Sequence, residues 1–287
     1  MLDLDDLFGA SPDIDLKVDE SDKIISDTRD MLNEKFGDIK FIEEGHKYFI
    51  EKDEYTPVSN IIKEYEQVVD WDEKAANYAR KHGRKKEDVQ WDWKYNNLRA
   101  TISGTRTHEF GESYTNVIAG HPELICEQNK PQYIADHNVL IPTYPKESAV
   151  KKFYDELEKN LHPVGAEFKL STKYIEGGRR ICGTCDILFW DSDRNGYVIG
   201  DWKTNAELIK AYTRNNHIMM KYPFMDMYDD ALDHYRLQFN LYRRMLESVG
   251  INIIGMMLIW LKEDGDYERI GIEKIDDKKL DVALGVA

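Results

Sequence analysis

Three charged residues in two neighbouring β-like runs could do hydrolytic chemistry: Asp186 in "GTCDILFW", and Asp201 and Lys203 in "YVIGDWKT". Residues two apart in a strand share a face, so Asp201 and Lys203 point one way and Trp202 the other. The register of the hairpin then decides whether a site exists. If all of "DSDRNG" is loop, Trp190 pairs with Tyr197 and Asp186 falls opposite Asp201, with Cβ atoms about 4.5–5.5 Å apart. A two-residue turn at Asn195-Gly196 would instead set Asp186 against Asn205 and carry Asp201 about 13 Å away. Only the longer loop makes a site. If Gly177-Gly178 is a two-residue turn in the preceding hairpin, Lys169 falls opposite Asp186 and Glu167 shares its face. One surface would then present Glu167, Asp186, Asp201 and Lys203.

Carboxylates so apposed repel unless protonated or neutralised by a cation. Oxygen ligands without cysteine favour a hard divalent ion, Mg²⁺ first and Mn²⁺ as its substitute. Other metal chemistries fit less well. Asp191-Ser-Asp193-Arg-Asn195-Gly196 opens like a calcium loop, but the twelfth position, which needs a bidentate glutamate, is Trp202. Cys182 and Cys185 have half the spacing of a zinc site and no second pair, so they read as buried thiols. "HEFGE" would need a second histidine at position 112, which is Glu.

The elements that must position these groups follow from periodicity and punctuation. Residues 40–50 read as a hairpin turning near Glu44-Gly45, and Ser59 as the N-cap of the next helix. Helical spacing runs over 71–90 and 101–119, and Gly120-His121-Pro122 stops the second helix. Pro145 opens a helix over 146–160. Strands are expected at 164–174, 180–190 and 197–204, an amphipathic helix at 229–250 ended by Gly250, then a buried strand "INIIGMMLIWLK" with "YERIGIEKI" beside it. The order implies one α/β domain: a central mixed β-sheet flanked by helices, with a helical N-terminal elaboration. The division expected is an acidic disordered tail over 1–30, a hairpin and helical region over 31–145, and the core over 146–287.

The 287 residues carry a formal charge of −15, which taken alone argues against a nucleic-acid partner. Its distribution reverses that. Residues 1–30 hold ten acidic residues against Lys17, Lys23 and Arg29, a net −7. Residues 76–108 hold eight basic residues against three acidic, a net +5, interleaved with Trp91, Trp93 and Tyr95. Such a stripe can contact phosphates and stack bases, or be a solvated helix face. No apolar run approaches the length of a membrane span, and the start lacks signal-peptide features, so the expectation is a soluble, cytoplasmic protein with no membrane partner.

With these residues placed, the chain resembles the PD-(D/E)xK nuclease superfamily, in its RecB-type branch of phage exonucleases and the mitochondrial genome maintenance exonuclease. The likeness covers roughly residues 104–260. Gly183-Thr-Cys-Asp186 is similar to the family's GxxD strand and Asp201-Trp-Lys203-Thr204 to its DYKT strand. Gly104-Thr-Arg-Thr-His108 resembles the GxxxH helix motif, and Gln238-Phe-Asn-Leu-Tyr242 the QxxxY motif. Cys185 stands where the superfamily's name has Pro, and the four cysteines of iron–sulfur members are absent. The resemblance implies a restriction-endonuclease-like core and Mg²⁺-dependent hydrolysis of DNA phosphodiester bonds, with neither an Fe–S cluster nor a nucleotide cofactor. It implies Asp186, Asp201 and His108 as metal ligands, together with a main-chain carbonyl near Trp202, and Glu167 as a contributor to a second ion or to orienting water. Lys203 would position or deprotonate the attacking water, and Gln238 and Tyr242 would support the site. Lys169, Arg179 and Arg180 are candidate DNA contacts from the hairpin register, and Arg106 with the 80–99 stripe a channel wall.

The expected activity is an exonuclease on DNA ends or single strands in replication, recombination or repair. The same fold also serves endonucleases and catalytically silent DNA-binding or assembly subunits. "LDLDDLF" at residues 2–8 resembles acidic-hydrophobic peptides that dock replication proteins, a further partner expectation. The style of the resemblance suggests phage origin, which would place the protein in host cytoplasm.

Overall fold

The structure is a computed structural model that describes residues 20–286. The peptide at residues 2–8 lies outside them.

The N-terminal region runs α1 (Glu20–Phe36), β1 (Ile39–Ile42), β2 (Lys47–Ile50), β3 (Asp53–Pro57), α2 (Val58–Tyr65), α3 (Trp71–His82) and α4 (Lys86–Ile118). Then come the short strands β4 (Tyr133–Ile134) and β5 (Val139–Leu140), α5 (Pro145–Asp155), β6 (Leu161–Ser171), β7 (Ile181–Asp191) and β8 (Gly196–Lys203). The chain closes with α6 (Ala211–Asn215), α7 (Ala231–Glu247), β9 (Ile253–Leu261), β10 (Tyr267–Gly271) and α8 (Asp277–Leu284). Among the described residues no helix is long and apolar enough to cross a membrane.

This is an α/β fold with a large mixed sheet flanked by helices. Eight strands join in the order β1-β2-β3-β7-β8-β9-β10, with β6 paired to β7. The β7–β8 and β9–β10 pairs are antiparallel, whereas β8–β9 and β3–β7 are parallel. Strand β7 is shared: its C-terminal half, 187–191, pairs with β8, and its start at Ile181 and Cys182 pairs with β3. Between the two ladders, at residues 183–186, the sheet parts. Strand alternation divides the core. Leu188 and Ile199 pack with Leu237, Leu241 and Met245 of α7, whereas Phe189, Val198 and Trp202 pack with Phe110 of α4 and Phe153 of α5.

Several boundaries differ from the sequence reading. Residues 20–30, expected to be disordered, form the first turns of α1, whose Thr28 and Leu32 are buried; the rest of the expected tail, 1–19, lies outside the described residues. The 31–145 region is not separate from the core, since β3 extends the same sheet. Helix α2 begins at Val58 after Pro57, so Ser59 is inside it rather than its cap. Gly83 takes the left-handed conformation at φ 62° and ends α3 there, not at residue 90. Residues 91–100 contain no breaker, so the expected 101–119 helix starts at Lys86 instead. Helix α5 stops at Asp155, short of 160.

Candidate metal centre

The loop "DSDRNG" takes the longer form because Asp191 organises it: Oδ1 accepts from the backbone N–H of Asp193 at 3.1 Å and of Arg194 at 3.0 Å. Calcium-loop geometry is thereby replaced by a turn held by its own first carboxylate. Trp190 pairs with Tyr197, and the ladder ends at Ile187 opposite Gly200. Continued by one residue, that register sets Asp186 beside Asp201. Asp186 Oδ2 accepts the backbone N–H of Trp202 at 3.2 Å, closing the ladder where the sheet parts.

The β6–β7 register differs from expectation. Residues 172–174 form a 3-10 turn, so the connection is longer than Gly177-Gly178 alone. Ala166 pairs with Ile187 and Phe168 with Cys185, and Lys169 lies opposite Thr184. The two-residue shift brings Glu167, rather than Lys169, opposite Asp186. Glu167 has φ 55°, a left-handed conformation uncommon for a residue with a Cβ and concentrated at functional sites.

Helix α4 supplies His108, whose Nδ1 is 3.0 Å from Asp186 Oδ2. Two glycines permit that approach. A Cβ on Gly104 would lie 3.2 Å from Thr204 Oγ1, and one on Gly111 would lie 2.6 Å from Trp202 Nε1. Spaced four and three residues apart, Gly104, His108 and Gly111 form one helix face against the end of β8. From α7, Gln238 Nε2 donates to Asp201 Oδ2 at 3.4 Å and to the Tyr242 hydroxyl at 3.1 Å. The Tyr242 ring lies over Gly183, where a Cβ would come within 2.5 Å of it. That contact gives Gly183 a steric reason.

Charge in the cluster is unbalanced. Burial pushes the Glu167 and Asp201 carboxyls well above the usual range, and the neighbouring Asp186 adds to the rise in each. Burial works the same way on Asp186, but His108 and Lys203 outweigh it and hold that carboxyl below the usual range. Lys203 Nζ is 2.7 Å from Asp201 Oδ1 and 4.3 Å from the centre of the Tyr235 ring. Burial alone would lower its pKa; Asp201 and Asp186 raise it above the usual lysine range, so the ammonium stays charged. Three carboxylates thus share one ammonium and one imidazole.

A divalent cation fits this donor set. His108, Glu167 and Asp186 each offer a ligand atom within 4.8 Å of the others'. Hard oxygens with one imidazole suit Mg²⁺ or Mn²⁺ better than a thiophilic ion. Cys182 and Cys185 are free and buried in the core, where Cys185 Sγ donates to the Ile187 carbonyl at 3.4 Å.

The cluster lies at the base of a cleft of about 1470 Å³, walled by α4 from Asn96 to Glu109 and by Tyr48, Lys146 and Tyr242. Asp186, Glu167, Gln238 and Lys169 line it, while Asp201 and Lys203 are buried beneath that surface. Arg106 is on the wall but occupied: its Nε donates to the buried Glu147 at 2.9 Å, and its guanidinium covers the Tyr144 ring at 3.3 Å. The structure does not bring Arg179 or Arg180 to the cleft. Arg179 is bidentate to Glu64 at 2.6 and 2.8 Å, and Arg180 is 2.8 Å from Asp53.

Sequence reasoning missed two cleft residues. Lys146 lies on the first turn of α5, its Nζ 3.0 Å from the Thr204 carbonyl and 2.7 Å from Glu263. Pro145 announced that helix, but nothing local announced which way the next side chain would point. Glu112, dismissed as a failed zinc ligand, follows His108 by one helical turn; burial raises its pKa, and its charge helps raise that of Glu167. The i, i+4 spacing in "HEFGE" was the available signal.

Neither a comparison with known protein families nor one with curated proteins finds a match for this chain.

Proposed function

We propose that the protein is a divalent-metal-dependent deoxyribonuclease of the PD-(D/E)xK type, acting as an exonuclease on DNA ends or single strands. The observation that carries this reading is the parting of the sheet at Asp186. There, Asp186, Asp201 and Glu167 meet His108 and a charged Lys203 at a cleft of about 1470 Å³. The α/β sheet is compatible with a restriction-endonuclease-like core, and the four short motifs converge on this one place.

His108, Glu167 and Asp186 would hold Mg²⁺, with Asp201 adjoining them. When bound, the ion supplies a lowered pKa for a water ligand and charge neutralisation at the scissile phosphate. The chain's own groups do the rest. Lys203, kept protonated by Asp201, is a donor rather than a base: it fixes the Asp201 carboxylate and contributes positive charge beneath the phosphate site. Glu167 lines the cleft opposite Asp186, where its carboxylate would hold the ion or orient a water beside it. Gln238 orients Asp201, and Tyr242 orients Gln238. Lys146, at the wall, is paired with the exposed Glu263 and would meet the phosphate chain only by exchanging that partner.

The test is cleavage of end-labelled single- and double-stranded DNA with Mg²⁺, Mn²⁺, Ca²⁺ or EDTA, for wild type, Asp186→Ala and Lys203→Ala. Cleavage is expected with Mg²⁺ or Mn²⁺ in wild type alone, releasing mononucleotides or short products from an end. Equal rates in wild type and Asp186→Ala would end the proposal; internal cuts in circular DNA would make it an endonuclease.

A further inference from the structure

The N-terminal half of α4 leaves an aromatic ladder in solvent. Trp91 and Tyr95 are 64% and 46% exposed. Their rings stack on each other, with centroids 5.2 Å apart and planes within 6°. Arg99 continues the row one turn further, its guanidinium 5.8 Å from the Tyr95 ring centre. Leu98 and Ile102, 56% and 62% exposed, flank the same stretch. Exposed apolar and aromatic side chains grouped in this way are characteristic of binding surfaces.

The ladder leads somewhere. Asn96, Arg99 and Ile102 line the cleft whose base holds Asp186, so the aromatic row forms its approach. At a rise of about 1.5 Å per residue, Trp91 stands about 25 Å along the helix from His108. That is a run of roughly seven nucleotides at the ~3.4 Å spacing of a stacked strand. Lys94 and Arg99 have no acidic partner among the described residues, unlike Arg84, held by Asp92, and Lys86, held by Asp72. Unneutralised cations beside stacked, exposed rings match a polymer that carries phosphates and flat bases together.

We infer that Trp91 and Tyr95 form a base-stacking platform for single-stranded nucleic acid, with Lys94 and Arg99 holding its phosphates. The platform grips the strand several nucleotides away from the end in the carboxylate cleft. It rests on reading the cleft as a nucleic-acid site and adds which strand form enters: unpaired bases, since a duplex buries the faces the rings would take. The positions 91, 95, 98 and 102 also have coiled-coil spacing, for which a second copy would be the occupant. A partner helix without acidic residues would leave Lys94 and Arg99 uncompensated, whereas a phosphate chain would not.

The test compares a fluorescent dT 20-mer with an abasic 20-mer of equal phosphate count, bound by the full chain in EDTA and followed by anisotropy. Wild type should prefer the dT strand, and Trp91→Ala/Tyr95→Ala should lower that preference by about tenfold or more. Trp91→Phe/Tyr95→Phe, which keeps two rings, should restore most of it. Both pairs change exposed residues, and melting temperatures check that the fold persists. An unchanged preference in the alanine variant overturns the platform. So does a wild-type dimer that the alanine pair dissolves with DNA affinity intact, which would assign the seam to a second copy. A platform-dependent preference without any Mg²⁺- or Mn²⁺-dependent cleavage would overturn the nuclease reading alone. Absence of binding to either strand would overturn both.

Discussion

Gly111→Ala opposes two effects of known sign, and the structure decides between them. In a helix interior, alanine is favoured over glycine by about 1 kcal/mol. Against that, the new Cβ would lie 2.6, 2.8 and 3.1 Å from Nε1, Cδ1 and Cε2 of Trp202. Carbon contacts are comfortable at about 3.5–4.0 Å, so the indole or the helix must move by roughly 1 Å. The indole has little room: Trp202 is 1% exposed and packs edge-on against Phe153 at 5.3 Å and against Tyr154 at 6.0 Å. Overpacking of this kind costs about 1–3 kcal/mol, and a rigid neighbour puts it near the upper end. The net expectation is a loss of about 1–2 kcal/mol, or ~2–8 °C in melting temperature for a chain of this size. If the helix yields instead of the indole, His108 retreats from Asp186 along with it. A displacement near 1 Å can cost about 100-fold in rate. Melting by circular dichroism, with Mg²⁺-dependent cleavage of labelled DNA, measures both. Trp202→Phe added to Gly111→Ala removes the crowded pyrrole edge and should recover part of each loss. A Gly111→Ala variant more stable than wild type, with full cleavage, would refute the idea that α4 closes on β8 through its glycines.

Further outcomes follow from neighbouring contacts. Gly183→Ala pushes a Cβ into Tyr242 and into Val58, 3.0 Å away; it should lower stability by about 1–3 kcal/mol, and a smaller variant at 242, Tyr242→Ala, should relieve the loss in chemical denaturation. Glu167→Gln removes one of the crowded carboxylates, on which Asp186 and Asp201 both act unfavourably, so in EDTA the variant should melt above wild type. If the cluster holds Mg²⁺ as proposed, wild type should gain about 2.7 kcal/mol at a hundred times the dissociation constant and this variant should not; an equal Mg²⁺ response would remove Glu167 from the proposed ligands. Arg106→Ala leaves Glu147, which is 1% exposed, with its hydrogen bonds from Thr143, Tyr144 and Gln132 alone. It should cost about 2 kcal/mol, and a double-mutant cycle with Glu147→Gln should give a coupling near 1 kcal/mol or more. A coupling of zero with weakened DNA binding would make Arg106 a phosphate contact instead.

What the sequence disclosed depended on the range of the interaction that fixes each feature. The β7–β8 register was legible because Asp191, Asn195 and Gly196 decide it within six residues, and side-chain alternation then carries Asp201, Trp202 and Lys203 to their faces. The β6–β7 register was not. It depends on a 3-10 turn at 172–174 whose Thr172 Oγ1 accepts the Ile181 N–H at 2.9 Å, an interaction between strands that no local pattern encodes. Helix α7 could be read from its apolar spacing because it packs against one layer of core. Helix α4 could not be read whole: its first half packs only Val89 and Trp93 against Ala75 and Ala79 of α3, and it leaves Trp91 and Tyr95 outside, so no single stripe runs its length.

That division of α4 bears on how the site is built. Its second half is glycine-notched and clamped between β8 and α5, where position matters to fractions of an ångström because His108 must meet a strand-borne carboxylate. Its first half is held to α3 by the small apolar contact of Val89 and Trp93 with Ala75 and Ala79, and by the exposed pairs Arg84–Asp92 and Lys86–Asp72, at 2.7 and 2.9 Å. Pairs of that kind contribute little to stability, on the order of 0–1 kcal/mol each. One continuous helix therefore joins a rigid segment at the carboxylates to a weakly held segment at the cleft mouth. A strand gripped by the outer segment would be delivered to the inner one without His108 or the carboxylates having to move. Val89→Ala tests this coupling, because it removes buried packing against Ala75 and Ala79 of α3 without changing the charge that a phosphate chain would meet. It should loosen the outer segment, raising its amide exchange while leaving exchange at 104–115 unchanged, and should raise KM for single-stranded DNA with little change in kcat. A fall in kcat with KM constant would show that the two halves of α4 are not mechanically separate.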